Sequence, residues 1–145
     1  MNTTAYQYND GGRAAAGYRG RAKGDCVARA IAIATGRPYQ TVCDEIDLLA
    51  KSERIGKRKK SRSSSQNGVW RETSDRYLRS IGFRWIPTMG IGSGCKVHLC
   101  SEELPSGSII ARLSKHFVAV LDGVVHDIYD PSRNGNRCVY GYWSK

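Results

Sequence analysis

Three side-chain types in this chain of 145 residues have the order and spacing for covalent chemistry: a cysteine, a histidine and an aspartate. Cys26 follows Gly24-Asp25 and opens the apolar run 27–34, where a helix should begin. The first N–H groups of a helix have no intrahelical partner, and the positive end of its dipole favours negative charge. A thiol placed there ionises more readily, and the thiolate is the nucleophilic form. His116 opens the strand-like run 116–121, and Asp130-Pro131 follows the next such run. Nucleophile, base and orienting acid therefore come in the order Cys, His, Asp. Asp127 competes with Asp130 for the last role. Along an extended 124–130, residues 126, 128 and 130 share one face, and 125, 127 and 129 the other. If Val125 points into the core, Asp127 does too.

These residues need elements to hold them. The first helix is expected over Cys26–Thr35, with Asp25 as N-cap and Gly36 just past its end. It is apolar nearly all round except at Arg29, the pattern of a helix in the middle of a core. Pro38 suits the first position of a second helix. Tyr39, Val42, Cys43, Ile46, Leu49 and Ala50 form its apolar stripe. A third helix should start near Val69 and end before Gly82. Short strands are expected at 83–87, 96–99, 108–113, 116–121, 124–129 and 139–143, with Asp122-Gly123 as a hairpin turn. Residues 1–24 read as an irregular arm with at most a short strand at 6–8. Helices first and an antiparallel sheet second argue for an α+β fold in one domain, residues 1–145.

Composition narrows the setting. A chain of this length buries roughly 68–70% of its unfolded surface, enough for one core. No apolar run approaches the ~20 residues needed to cross a bilayer. The first residues lack the apolar stretch of a signal peptide. A cytoplasmic protein is the expectation, with its five cysteines as free thiols. The formal charge of +10 favours polyanionic partners. Much of it sits in the run Lys57, Arg58, Lys59, Lys60 and Arg62, followed by a serine-rich stretch. The whole of 54–68 is expected as a flexible surface loop that could touch nucleic acid or an acidic protein. No aromatic is interleaved in the run, which weakens a single-strand stacking role.

A Cys opening a central helix, a His opening a strand and an acid on the next strand resemble the papain-like cysteine peptidase superfamily. The closest variety is the compact group related to bacteriocin-processing peptidases. Asp25-Cys26, His116-Phe117-Val118-Ala119-Val120 and Asp130-Pro131 carry the likeness. The 9–13 stretch, the Gly24-Asp25-Cys26 helix and the 116–143 segment also resemble small proteins of bacteria and their phages. The resemblance implies a papain-like fold, with N-terminal helices packed on a C-terminal antiparallel sheet. It implies a thiol hydrolase or acyltransferase with a Cys26-His116-Asp130 triad acting on a peptide or protein amide. It favours Asp130 over Asp127 through the Asp-Pro match. The superfamily also places a Gln shortly before the Cys as an oxyanion donor. Gly20 stands six residues upstream of Cys26, and no Gln lies in 18–25. Gln7 could serve only if the arm folds back over the site.

Other readings compete. Cys95, His98 and Cys100 have metal-ligand types, but zinc wants four ligands and no fourth is spaced nearby, so no metal or cofactor is expected. Cys43 lies on an apolar stripe and belongs to the core. A non-catalytic binder on the same scaffold and a basic nucleic-acid-binding protein are the alternatives to an enzyme.

Overall fold

The computed structural model describes residues 5–145. The chain is α+β, with three helices and one six-stranded sheet. Its elements are β1 (Ala5–Tyr8), α1 (Cys26–Thr35), α2 (Tyr39–Ala50), α3 (Arg71–Ser80), β2 (Arg84–Pro87), β3 (Ser108–Leu113), β4 (His116–Leu121), β5 (Val124–Asp127) and β6 (Gly141–Ser144). The strand order is β1-β5-β4-β3-β6-β2. All neighbours are antiparallel except β1 and β5, which run parallel. The expected antiparallel sheet is thus mixed, because the short strand of the N-terminal arm joins its edge in parallel with β5.

Alternation along β3 sorts the core into two layers. Ile110, with Trp143 of β6, faces the helices and packs with Ile31, Val42, Ile46, Tyr77 and Leu78. Ile109, Ala111 and Leu113 join Val118, Val120 and Val125 on the opposite side. That side is covered by Leu99, Leu104 and Val139. The expected strand at 96–99 is absent. A single bridge, His98 to Cys138, replaces it, and Leu99 and Val139 are tied across it by N–H bonds to Arg137 and Val97 carbonyls.

Helix α1 is buried along 27–32 and lies against β4, which brings the first residue of each element together. Gly36 ends α1 in the left-handed region at φ 73° and returns its N–H to the Ala32 carbonyl. Asp25 precedes the helix but makes no side-chain cap, a departure from expectation. Its carboxylate is taken by stronger partners, described below. Helix α2 starts one residue later than expected, with Pro38 as the flanking residue at φ −57°, ψ 137°.

The 54–68 segment divides in two. Residues 54–62 are exposed except for half-buried Lys59. Lys59 pairs with Glu72 at 3.4 Å and lies over the Trp70 ring. Ser63 and Ser65, by contrast, are buried. The Ser63 N–H and hydroxyl both donate to Glu53, as does the Thr73 hydroxyl. Ser65 donates its N–H and hydroxyl to Asp47 at 2.8 and 3.0 Å. The serines are anchors, so the surface-loop expectation fails beyond residue 62. Buried Glu53 recruits the first, since buried charge requires hydrogen bonds, and Asp47 of α2 recruits the second.

The arm is also anchored. Asn9 donates its N–H to the Asp127 carbonyl at 2.9 Å, and its side-chain amide meets His126 Nδ1 at 3.2 Å. Gly11, at φ 70°, passes so close to α1 that an added Cβ would lie 3.1 Å from the Arg29 carbonyl oxygen. Glycine fits both the backbone conformation and the close approach.

Candidate active site

Cys26 is the first residue of α1 and His116 the first of β4, while Asp127 is the last of β5. Because β4 and β5 form a hairpin, with Ala119 opposite His126, the start of β4 and the end of β5 lie together. His116 Nε2 is 2.6 Å from Asp127 Oδ2. That engagement leaves Nδ1 to serve the thiol. The Asp127 carboxylate is fixed from two more sides, by the Ile128 N–H at 2.7 Å and by Arg29 Nη2 at 3.3 Å. The Tyr129 ring covers His116 at 5.5 Å between centroids.

The carboxylate that meets His116 is therefore Asp127, not Asp130. Asp130 is exposed and accepts the Ser132 N–H at 2.9 Å, closing a turn ahead of Arg133 and Asn134. The facing rule decided correctly: Val125 is fully buried, and Asp127 is 3% exposed.

The electrostatics suit a nucleophile. Burial pushes the Cys26 thiol up. The hydrogen bond and charge of His116, the Phe117 N–H and the charge of Arg29 outweigh it and hold the thiol below its ordinary value. Burial likewise disfavours the imidazolium, but the bond to Asp127 and then the bond and charge of Cys26 raise His116 to about 9. Cys43 behaves in the opposite way. Burial pushes its thiol up, and hydrogen bonds with Ser65 and Tyr39 oppose the rise without reversing it.

A second tier supports the first. Arg29 bridges two buried carboxylates, reaching Asp25 through Nη1 and Asp127 through Nη2. Asp25 also accepts the Tyr39 hydroxyl at 2.6 Å and pairs with Arg13 Nε at 3.3 Å. Asp25, Arg29, Asp127 and His116 are all under 9% exposed. Two arginines therefore balance two aspartates beneath the thiol, as buried charge demands. The signal for Arg29 was present in the sequence, as the one cation in an otherwise apolar helix.

The thiol opens into a cleft of about 410 Å³ whose lining includes Gly24, Cys26, Asn67, Arg112, Lys115 and His116. Gly24 permits close contact, since an added Cβ would lie 2.8 Å from the Asn67 carbonyl carbon. The Cys26 N–H has no partner among the described residues. Gln7 lies on β1, opposite His126, and donates to the Tyr8 carbonyl. Strand β5 separates it from β4, and it does not line the cleft, so the arm does not bring it to the site. Gln66 points inward to Tyr39. Asn67, which no motif marked, is the amide that lines the cleft.

Two of the five cysteines are not free: Cys95 and Cys138 form a disulfide. Cys26, Cys43 and Cys100 remain thiols. The pairing removes Cys95 from the metal-ligand trio. His98 and Cys100 both turn to Glu103, at 3.2 and 2.9 Å. Among the described residues no group of three or more His, Cys, Asp or Glu is placed to hold a metal ion. No helix of the described residues is long and apolar enough to cross a membrane. No family model matches the chain, and neither does any curated protein or solved structure.

Proposed function

We propose that the protein is a papain-like thiol hydrolase or acyltransferase acting on a peptide or protein amide, with Cys26 as nucleophile, His116 as general acid–base and Asp127 as orienting acid. The observation that carries this reading is the His116–Asp127 contact of 2.6 Å beside a thiol whose ionisation His116 favours. An inert core thiol has no need of a buried, charge-balanced imidazole next to it.

The chemistry runs in two halves. The Cys26 thiolate forms a bond to the amide carbonyl carbon, and the π electrons move to oxygen. When the oxyanion collapses, the C–N bond breaks and the His116 imidazolium gives its proton to the departing amine. The resulting thioester is attacked by water or an amine, which gives its proton to neutral His116 as the C–S bond breaks. Asp127 keeps the imidazole in one tautomer throughout. The unpartnered Cys26 N–H is one donor to the oxyanion. We assign the second to the Asn67 side chain, in place of the upstream Gln. A cytoplasmic setting would keep Cys26 a thiol, and it would also press the Cys95–Cys138 bond towards its reduced form.

The test is alkylation by iodoacetamide at neutral pH, followed residue by residue by mass spectrometry. Cys26 should label far faster than Cys43, and His116→Ala should abolish the difference. Equal, slow labelling of both thiols would remove the proposal.

A second reading has its own observation. Arg54, Lys57, Arg58, Lys60 and Arg62 are exposed, with no ion pair among the described residues. Such a patch suits nucleic acid or an acidic protein. Binding to duplex DNA or to RNA should then fall steeply with salt, and deletion of 56–62 should remove it.

A further inference from the structure

The cleft beside Cys26 continues beyond the reacting groups. Arg71, Arg112 and Tyr140 line both it and a second cavity of about 500 Å³, walled by Trp85, Met89 and Ile91 among others. One groove therefore runs from the thiol, past two arginines, to an apolar end. Gly141 helps to shape that end, since any side chain there would collide with the Trp85 ring. Met89 and Ile91 are large apolar side chains left exposed to solvent.

The middle of the groove is electrostatically unfinished. Arg71 lies 3.7 Å from Asp75, and its guanidinium stacks over Trp85. The Arg112 guanidinium, half-buried on β3, makes no hydrogen bond or ion pair among the described residues. Burial and the like charge of Arg71 hold it below its usual range, against the weaker pull of Asp75. Lys115 adds a third cation at the rim, in the turn that leads directly into His116. A half-buried guanidinium with five donors and no acceptor fits a planar carboxylate.

We propose that Arg112, with Arg71, is a specificity site for an acidic side chain of the substrate polypeptide, flanking the amide that Cys26 attacks. An apolar residue further along the same segment seats against Trp85, Met89 and Ile91. This inference rests on the thiol reading above and names the substrate class for that same site. An aspartate or glutamate of the substrate completes the donor set of Arg112 and offsets its repulsion with Arg71. A neutral residue leaves both uncompensated.

The experiment uses peptidyl vinyl sulfones: the Cys26 sulfur adds to the vinyl carbon joined to the peptide, and a proton is taken up at the carbon beside the sulfone. A set of tetrapeptide probes carries Glu, Gln or Lys in turn at each of the three residues nearest the warhead. With the wild-type protein, Glu at one of these positions should accelerate modification roughly tenfold over Gln, the size of one charge-assisted hydrogen bond. The advantage should shrink as salt rises. Arg112→Gln should bring the Glu-to-Gln ratio towards one, and Arg112→Glu should invert it in favour of Lys, a reversal that mere misfolding does not produce. Equal rates for Glu and Gln at every position, in protein whose Cys26 labels rapidly with iodoacetamide, would overturn the acidic specificity and leave the thiol reading standing. Slow labelling of Cys26 by every reagent would overturn both.

Discussion

Arg29 Nη2 lies 3.3 Å from Asp127 Oδ1 while Asp127 Oδ2 holds His116, so the proposed orienting acid is itself held by the helix that carries the proposed nucleophile. Cys26 and Arg29 are three residues apart and share one side of α1. Rigid coupling of thiol and acid follows from this, with no contact between them. Breaking a buried pair by removing one partner costs about 3–5 kcal/mol, because the other charge is left unpaired. Arg29→Met should therefore lower stability in urea by about that amount. Asp25→Asn added to Arg29→Met should recover part of the loss, by neutralising one of the two carboxylates that lose the Arg29 guanidinium. A loss under ~1 kcal/mol for Arg29→Met would mean that the network carries little of the site's rigidity.

The proposal of Asp127 rather than Asp130 as orienting acid has a kinetic signature. Acylation needs the thiolate and the imidazolium together, so its rate rises as Cys26 loses its proton and falls as His116 loses its own. The alkaline limb should lie near pH 9, where Asp127 and Cys26 hold His116. Asp127→Asn should move that limb to lower pH and slow the release of p-nitrophenol from p-nitrophenyl acetate by ~10²-fold or more. Asp130→Asn should leave the limb in place and cost about 0.5–1.5 kcal/mol of stability at most, through its turn bond to Ser132. An unmoved limb in Asp127→Asn would return the role to another residue.

His116 also links stability to pH. Its folded pKa, about 9, lies above the ordinary 6.5, so protonation favours the folded state. That contribution is whole below 6.5, declines through the window from 6.5 to 9 and is gone above it. Burial opposes the shift and the Asp127 bond is the largest cause that raises it, so the effect should persist without the thiol. In a Cys26→Ala background, the stability gap between His116 and His116→Gln proteins should narrow as pH rises through this window. A gap independent of pH would show that Asp127 does not bind the imidazolium preferentially.

Much of this site was legible in the chain because local rules govern it. The apolar run after Cys26, ended by Gly36, marked α1, and the turn at Asp122-Gly123 marked the β4–β5 hairpin that brings His116 towards Asp127. Period-two facing already allowed Asp127, and only the Asp-Pro likeness argued for Asp130. What escaped was decided by long-range pairing. Asp25 looked like a cap, but Arg29, Tyr39 and Arg13 outbid the helix N–H groups for its oxygens. Ser63 and Ser65 looked like loop residues because their partners, Glu53 and Asp47, lie 10 and 18 residues back along the chain. The Cys95–Cys138 pair spans 43 residues, with no local pattern to mark it.

That disulfide makes stability depend on redox conditions. By loop-closure entropy, a cross-link over 43 residues constrains the unfolded chain by roughly 4 kcal/mol. The double variant Cys95→Ser, Cys138→Ser should lose about 2–4 kcal/mol, and the wild type in strong reductant should lose a similar amount. Cys26 lies outside the cross-linked segment, so its alkylation rate in folded protein should be unaffected. If reductant leaves the wild-type unfolding midpoint unchanged, the bond does not form in solution.

Asn67 and Gln7 make opposite predictions for the oxyanion. Alkylation by iodoacetamide displaces iodide without building charge on oxygen, whereas acylation by p-nitrophenyl acetate passes through a tetrahedral oxyanion. A donor to that oxygen matters only to the second reaction, by ~10²–10³-fold. Asn67→Ala should therefore slow acylation far more than alkylation. Gln7→Ala should slow neither, since it stands on the edge strand β1 and does not line the cleft. Gly24→Ala should resemble Asn67→Ala in part, because its methyl group would push the 67 backbone away from the cleft. Equal slowing of both reactions by Asn67→Ala would assign it to support of the thiol itself and leave the Cys26 N–H as the one donor identified.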